Sequence, residues 1–371
     1  MVLHALKQFW TQKTFWILLW WAVQVFVLLY YGPKVLVDTE RYINEAAAWR
    51  RGTFEISYHL WYSGYVLFLA CFSDPISQVY WIIGVQQVVA FVAFLALLKL
   101  FDLQNKIHGL LLALFVLYIP YHQWNVCVLT ESLFCSAIIG ALYSHGLQAK
   151  PRYPILFAVC LIAVCLLRPN GFLVAIAYVG AVVWYYRKLY NYVLWLAITL
   201  CVGLMLWFVD AHTETFYFFI KNSLVGGEYI CGYPSPYKIP MESVTFIDSH
   251  YEGSIIKLFH ILKLHPWTCV KLIVFKIFYL LFEIRPFYNR IHNIASLSAV
   301  MILYGLVVKN IRPLTPFKTF SMLVVGLNVM LVALTYTDWD GRFFSALLPC
   351  FICMALPQSP GSNSYLKLTG I

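Results

Sequence analysis

Apolar residues run along this chain in long blocks, broken at short intervals by a few polar residues. The first block extends from about Phe15 to Tyr31. Others lie near 78–100, 108–123, 130–147, 154–168, 171–186 and 190–209, and then near 267–284, 293–308, 319–336 and 343–357. Several reach or approach the ~20 residues that a hydrocarbon core demands of a helix. The pattern predicts an all-α polytopic membrane protein with about eleven transmembrane helices, within a range of roughly nine to thirteen. The stretch Leu60 to Phe72 is too short to cross comfortably and reads as an interfacial or re-entrant helix. No internal repeat, low-complexity tract or separate soluble domain is visible, so residues 1–371 read as a single transmembrane domain.

Composition agrees with this pattern. The chain is 62% apolar and 11% charged, whereas a soluble domain is about half apolar and about a quarter charged. So few charges could not cover the surface of a soluble enzyme of this length. The formal charge of +10 comes without any run of five Lys or Arg, which argues against a nucleic-acid partner and for basic turns that orient the spans. His4, Lys7 and Lys13 precede the first block, with no acid among the first thirteen residues. Gly32-Pro33 follows it without a small-x-small cleavage site, so an uncleaved anchor with a cytoplasmic N-terminus is expected.

On that count Lys99/Lys106, Lys150/Arg152 and Arg187/Lys188 fall on the cytoplasmic side. Residues 32–76 form a first outer loop with interfacial helices. Residues 210–266, with six acids against four bases, form a second outer segment. The turn with Lys309, Arg312 and Lys318 belongs in the cytoplasm by charge, yet simple alternation puts it outside. Either one of the two preceding blocks fails to cross, or Ser254–Leu264 adds a crossing. With charge as arbiter, Asp338-Trp339-Asp340-Gly341-Arg342 returns to the outer face. The ten cysteines are scattered. Cys350 and Cys353 form a C-x-x-C inside a span with no His beside it, and read as small core residues rather than a redox or metal pair.

Polar residues at the block ends are where chemistry could reside. In Val37-Asp38-Thr39-Glu40-Arg41-Tyr42-Ile43, Asp38 suits a helix N-cap, Glu40 the first turn, Arg50 and Arg51 the last, and Gly52 the position beyond. Ile43, Ala46 and Ala47 would then face the membrane surface. Spacing alone does not decide between cap and catalyst for Asp38. Glu131 opens a block at its outer end and reads either as a cap in the headgroups or as a site residue. Arg168, in Leu166-Leu167-Arg168-Pro169-Asn170-Gly171, interrupts an apolar stretch at a helix break. An Arg there costs ~2.5–3.5 kcal/mol on insertion scales if it faces lipid, so it faces a cavity or an anion, or else snorkels to the headgroups. Glu283, Arg285, Tyr288, Arg290 and His292 crowd another helix end, and Asp338, Asp340 and Arg342 lie between two blocks. Singly, each suits interfacial anchoring or a charged turn. Together they outline an outer-face cavity edged with guanidinium groups, which suits a phosphorylated lipid. No G-x-x-x-x-G-K-[ST], H-E-x-x-H or G-x-S-x-G string occurs, so ATP-motor, zinc-protease and serine-hydrolase signatures are absent.

The order of these features resembles the GT-C superfamily of polyprenyl-phosphate-dependent glycosyltransferases, which includes protein O-mannosyltransferases and the aminoarabinose transferases of lipid A. Asp38-Thr39-Glu40-Arg41-Tyr42 is similar to that family's catalytic D-x-E/D-x-Y-like string after the first span. Tyr58-His59-Leu60-Trp61-Tyr62-Ser63-Gly64-Tyr65 stands where relatives carry a Pro/Tyr-rich approach to an interfacial helix, although this chain has no Pro there. Leu129-Thr130-Glu131 is similar to the acidic start of a middle span, and Arg168-Pro169-Asn170-Gly171 to an Arg-Pro-x-Gly break. Asp340-Gly341-Arg342-Phe343 resembles a late D-x-R-Y string with Phe for Tyr.

The resemblance implies an inverting transfer of a sugar from a polyprenyl-phosphate donor to a lipid, glycan or protein acceptor. Asp38 would be the general base and Glu40 its helper. Arg168, Arg285 and Arg342 would hold the phosphate, with Arg41, Tyr42, His59, Glu131, Asn170, Tyr288, His292 and Asp340 lining the substrates. Some relatives use a divalent cation such as Mg or Mn. Asp38 and Glu40 offer few oxygens for an ion that wants about six, so metal-independent chemistry is expected, with the cation as the alternative.

Two other readings stand beside this one. An O-antigen-type polymerase or ligase should carry Arg and His in the late outer loop, but 210–266 has His212, His250, His260 and His265 and no Arg. A lipid-linked glycan flippase or transporter should distribute polar residues through its spans, whereas here the charges gather at helix ends. A bacterial inner membrane, with the site facing the periplasm, is the expected location, and an ER membrane the alternative.

Overall fold

A computed structural model of the chain describes residues 13–55, 60–146, 153–186, 199, 203, 227–230, 263–285, 288–335, 337 and 340–357. Helices make up 79% of these and no strand occurs among them, in agreement with an all-α protein. The helices are α1 (Lys13–Tyr31), α2 (Val37–Arg50), α3 (Ser63–Ala70), α4 (Val79–Leu98), α5 (Lys106–Val116), α6 (Glu131–Gly146), α7 (Tyr153–Leu167), α8 (Gly171–Tyr186), α9 (Pro266–Phe282), α10 (Arg290–Asn310), α11 (Pro316–Leu334) and α12 (Arg342–Ala355). Single turns cover Leu60–Tyr62, Ile119–His122 and Gln123–Val126. Nearly all of block 190–209 and most of the 210–266 segment lie outside the described residues, as do nearly all of Ser254–Leu264 and the residues Asp338 and Trp339.

Helix α1 shows what environment these sequences require. One face buries Trp16, Trp20, Val23, Gln24 and Val27. The opposite face leaves Leu18, Val25, Phe26 and Leu29 exposed. A helix apolar all round needs cover on every side. Exposed apolar faces also run along α4 (Trp81, Val85, Val88, Val92), α7 (Ile155, Val159, Ile162) and α9 (Trp267, Val270, Val274). Apolar surface of this extent is the surface that lipid tails cover. Helices α1, α4, α10 and α11 are long and apolar enough to cross a membrane. Five apolar stretches, Leu60–Ala70, Lys106–Val116, Pro154–Leu167, Gly171–Trp184 and Arg342–Ala355, are shorter. The chain is thus a helical membrane protein.

The chain divides into two compact units. The first contains residues 1–175, 301–322 and 345–371, and the second 176–300 and 323–344. In the first, α1 is closed by Gly32, whose φ of +66° lets its N–H reach the Leu28 carbonyl at 3.0 Å. The chain then makes a two-bond parallel bridge. Lys34 N–H donates to the Val126 carbonyl and Val128 N–H to the Lys34 carbonyl, both at 2.9 Å. The residues after the first span are therefore held against those just before α6. Trp20 stacks on Phe94, and Phe94 on Phe115, which ties α1, α4 and α5 together. A Cβ on Gly64 would lie 3.0 Å from the Leu166 carbonyl, so the start of α3 meets the end of α7 at backbone contact.

In the second unit, Tyr229 stacks on Phe275 and Tyr279 of α9. The Lys276 ammonium, buried in α9, donates to the Thr335 carbonyl just past the end of α11. A cation on the orphan carbonyls of a helix C-terminus satisfies both groups. Thr337 closes the knot by donating to the Lys276 carbonyl at 2.6 Å.

Candidate functional site

Helix α2 begins at Val37 and places Asp38 at its second position. The cap contact belongs to Thr39, whose hydroxyl accepts from Leu36 N–H at 3.0 Å and donates to the Val128 carbonyl at 2.8 Å. This corrects the reading of Asp38 as an N-cap. Thr39 closes the first turn, while Asp38 is partly buried beside it and Glu40 is exposed. The helix ends as its sequence predicts. Gly52 N–H reaches the Trp49 carbonyl and Thr53 N–H the Ala48 carbonyl, both at 3.0 Å, around Gly52 at φ +73°. The buried stripe of α2 is Thr39, Tyr42 and Ala46, with Glu45 beside it, so Ala46 packs inward instead of facing the membrane surface, while Ile43 and Ala47 stay partly exposed.

Tyr42 lies at the centre of this group. Its ring is 5.3 Å from those of Tyr62 and Tyr65, and 5.1 Å from the Arg41 guanidinium. Arg41 also sits 4.7 Å over Tyr62 and 3.5 Å from Glu45. Burial, then Tyr62 and Glu131, push the Tyr42 phenol well up, against the pull of Arg168 and Arg41. Tyr65, fully buried, is raised by burial and then by Glu131 and Tyr42. The α2 string, the start of α6 and the α7–α8 break therefore act on one tyrosine pair.

Glu131 is 2% exposed. Its Oε1 accepts from Arg168 Nη1 at 2.7 Å and its Oε2 from the Thr130 hydroxyl at 3.3 Å. Arg168 lies 5.8 Å over the Phe134 ring and keeps 11% of its side chain exposed. Such a pair is held together by mutual need, because removing one partner leaves a buried charge. It also answers the snorkelling alternative, since the guanidinium turns to an acid of the protein. The break itself is set by Gly171, where a Cβ would stand 2.0 Å from the Val164 carbonyl. Asn170 is buried in the same turn.

The remaining candidates fall in the second unit. Arg285 is fully buried. It donates to Glu283 Oε1 at 3.2 Å and to the Tyr279 and Ile284 carbonyls. Its guanidinium thus closes the end of α9, a structural place rather than an open one. Glu283 takes φ +52° there. Its Oε2 would be 2.6 Å from a Cβ on Gly341, whose own φ of +82° is what calls for glycine there. Arg342 Nε meets both carboxylate oxygens of Asp340 at 3.1 Å. The Tyr288 hydroxyl donates to the Asp340 carbonyl at 3.4 Å, and its ring is 4.0 Å from that of His292. His59 lies outside the described residues. No group of three or more His, Cys, Asp or Glu able to hold a metal ion occurs among the described residues.

Sequence reasoning missed a set of buried amides in the first unit. Gln24 Nε2 donates to His122 Nδ1 at 2.8 Å, and His122 Nε2 to the Phe115 carbonyl at 3.1 Å. Asn125 Nδ2 donates to Gln24 Oε1 at 3.0 Å, and the Ser132 hydroxyl to Asn125 Oδ1 at 2.8 Å. Gln86 receives the Tyr65 hydroxyl and donates to the Cys127 carbonyl at 2.9 Å. The signal was present as glutamines in otherwise apolar blocks, which should not be left facing lipid. Polar residues thus do occur within the spans, but they bond to one another and to the irregular backbone at 117–130.

Comparison with protein-family models, with curated proteins and with solved structures finds no match to this chain.

Proposed function

We propose that the chain is an integral membrane glycosyltransferase that moves a sugar from a polyprenyl-phosphate donor to an acceptor hydroxyl, with inversion. One observation supports this reading above the others. Three strings far apart in sequence, 38–42, 129–131 and 168–171, meet around Tyr42 through the Thr39–Val128 bond and the Glu131–Arg168 pair. These are three of the five strings on which the resemblance to the GT-C superfamily rests. Charged turns with unrelated structural roles would have no reason to converge.

The acceptor oxygen attacks the anomeric carbon, the bond from that carbon to the phosphate oxygen breaks, and polyprenyl phosphate leaves as a stable anion. Asp38 takes the hydroxyl proton, a contribution of ~10²–10⁴-fold. Glu40 orients the acceptor. Arg168, held by Glu131, and Arg41 supply the positive charge that stabilises the phosphate as it leaves. The finer topology belongs to the same proposal: about eleven spans in a bacterial inner membrane, with residues 32–76 and 210–266 on the periplasmic side.

The test is release of free polyprenyl phosphate from a panel of polyprenyl-phosphate sugars, by the protein in nanodiscs with a membrane extract as acceptor source. Release that depends on one sugar and is lost in Asp38→Asn is the expected result. Release that survives the substitution moves the base to Glu40. No release from any donor rejects the transferase reading in favour of a polymerase or a carrier.

A further inference from the structure

The buried amides raise a question that their composition helps to answer. A line of hydrogen bonds runs from the Phe115 carbonyl through His122, Gln24 and Asn125 to Ser132. It begins deep in the first unit and ends on the second residue of α6, next to Glu131. Each member is almost wholly buried, at 0% for His122, 2% for Gln24 and Ser132, and 3% for Asn125. Side-chain amides do not exchange protons readily, so the line cannot serve as a proton wire. Exposed to nothing, it cannot bind a ligand either. What such a line can do is fix geometry.

The bond directions show which geometry is fixed. The Gln24 amide gives its N–H to His122 Nδ1, so the imidazole proton sits on Nε2 and points at the Phe115 carbonyl. The Gln24 oxygen is then the atom turned to Asn125, and an amide oxygen can only accept. Asn125 must then present Nδ2 to Gln24 and Oδ1 to Ser132. Each amide orientation is forced by the one before it, starting from a backbone carbonyl that cannot move alone. Asn125 is the joint in this line. It lies on the irregular stretch before α6, and its own carbonyl accepts from Gln87 of α4 at 3.4 Å. It therefore links α1, α4 and the first turn of α6.

We infer that Asn125 is a positioning residue, which holds the first turn of α6 against α1 so that Glu131 meets Arg168 in the observed geometry. The consequence for catalysis rests on the transferase reading, but the placement does not, and it can be measured without substrate. In detergent, the unfolding midpoint is followed by tryptophan fluorescence for Glu131→Gln, Arg168→Gln and the double substitution. In the wild-type background the double substitution should cost clearly less than the sum of the singles, because each single strands a buried partner. In an Asn125→Ala background the losses should become additive. Ser132→Ala removes only one hydroxyl, is the milder variant if Asn125→Ala does not fold, and should act in the same direction. Unchanged non-additivity in both backgrounds overturns the inference, as does additivity in the wild type.

A kinetic arm separates positioning from general support. Leu97→Ala, a fully buried α4 residue apart from the line, serves as a control matched for loss of midpoint. With an active donor, Asn125→Ala should lower kcat at least tenfold at nearly constant KM, while Leu97→Ala should not. Equal kcat losses in the two proteins would reduce Asn125 to a core residue. If the wild type releases no polyprenyl phosphate, the transferase reading fails and the midpoint cycle alone decides the placement.

Discussion

Tyr42 and Tyr65 are held neutral by their surroundings, and that has a consequence in alkali. Burial is the main cause for both, and the nearby Glu131 carboxylate adds to it. Their folded-state pKa values lie above the unfolded value of about 10. A group raised in this way contributes fully to stability below about pH 10, where both states keep the proton. Above it the unfolded chain ionises and the folded one does not, so stability falls by about 1.4 kcal/mol per pH unit for each tyrosine. Unfolding midpoints measured from pH 8 to 11.5 should therefore drop steeply beyond about pH 10, and Tyr42→Phe should remove part of the slope. An unchanged slope in Tyr42→Phe would mean that its phenol is not insulated. At this scale the sequence was a partial guide. It marked Tyr42, Glu131 and Arg168 as residues of interest. It put Asp38 at the cap, where the structure has Thr39 receive the Leu36 N–H, because both are good N-terminal residues and only the folded turn decides between them.

At the scale of helices, the apolar blocks foretold the boundaries of α4, α6, α7 and α8 closely, since Gly, Pro and charged residues punctuate them. The break between α7 and α8 shows how rigid such punctuation can be. Its glycine has no room for a methyl group, because the obstacle is the backbone carbonyl of Val164 rather than a movable side chain. Gly171→Ala should cost on the order of 1–3 kcal/mol or more and displace Arg168. Gly84, in the interior of α4, has nothing within 4 Å of the corresponding position. There the same change should be neutral or stabilise by about 0.5–1 kcal/mol, by raising helix propensity. Paired unfolding measurements in one detergent check both, and similar effects at the two sites would contradict the geometry. What the block pattern could not reveal was the interior traffic between helices. A glutamine in an apolar run has no period of its own, so its partner, such as His122 for Gln24 nearly a hundred positions away, stays hidden until the chain is folded.

Across the whole molecule, charge and apolar surface make separate statements. The exposed apolar faces of α1, α4, α7 and α9 call for lipid around the chain, but they carry no sign and cannot say which end points outward. Orientation rests on the basic turns, and the proposed chemistry depends on it, because a polyprenyl-linked donor is used on the face where residues 32–76 emerge. Cys71 gives a direct reading. It lies just beyond α3 within that loop and is exposed, while the other cysteines among the described residues are buried or partly so. A membrane-impermeant maleimide added to spheroplasts should label the protein, and Cys71→Ser should lose that increment. The substituted protein also supplies the subtraction for Cys201 and Cys231, which lie outside the described residues. Labelling of Cys71 only after the membrane is opened would turn the chain over, place the Tyr42 group in the cytoplasm and exclude a periplasmic transfer. Labelling from outside would leave Asp38 on the outer face, where the proposed transfer takes place.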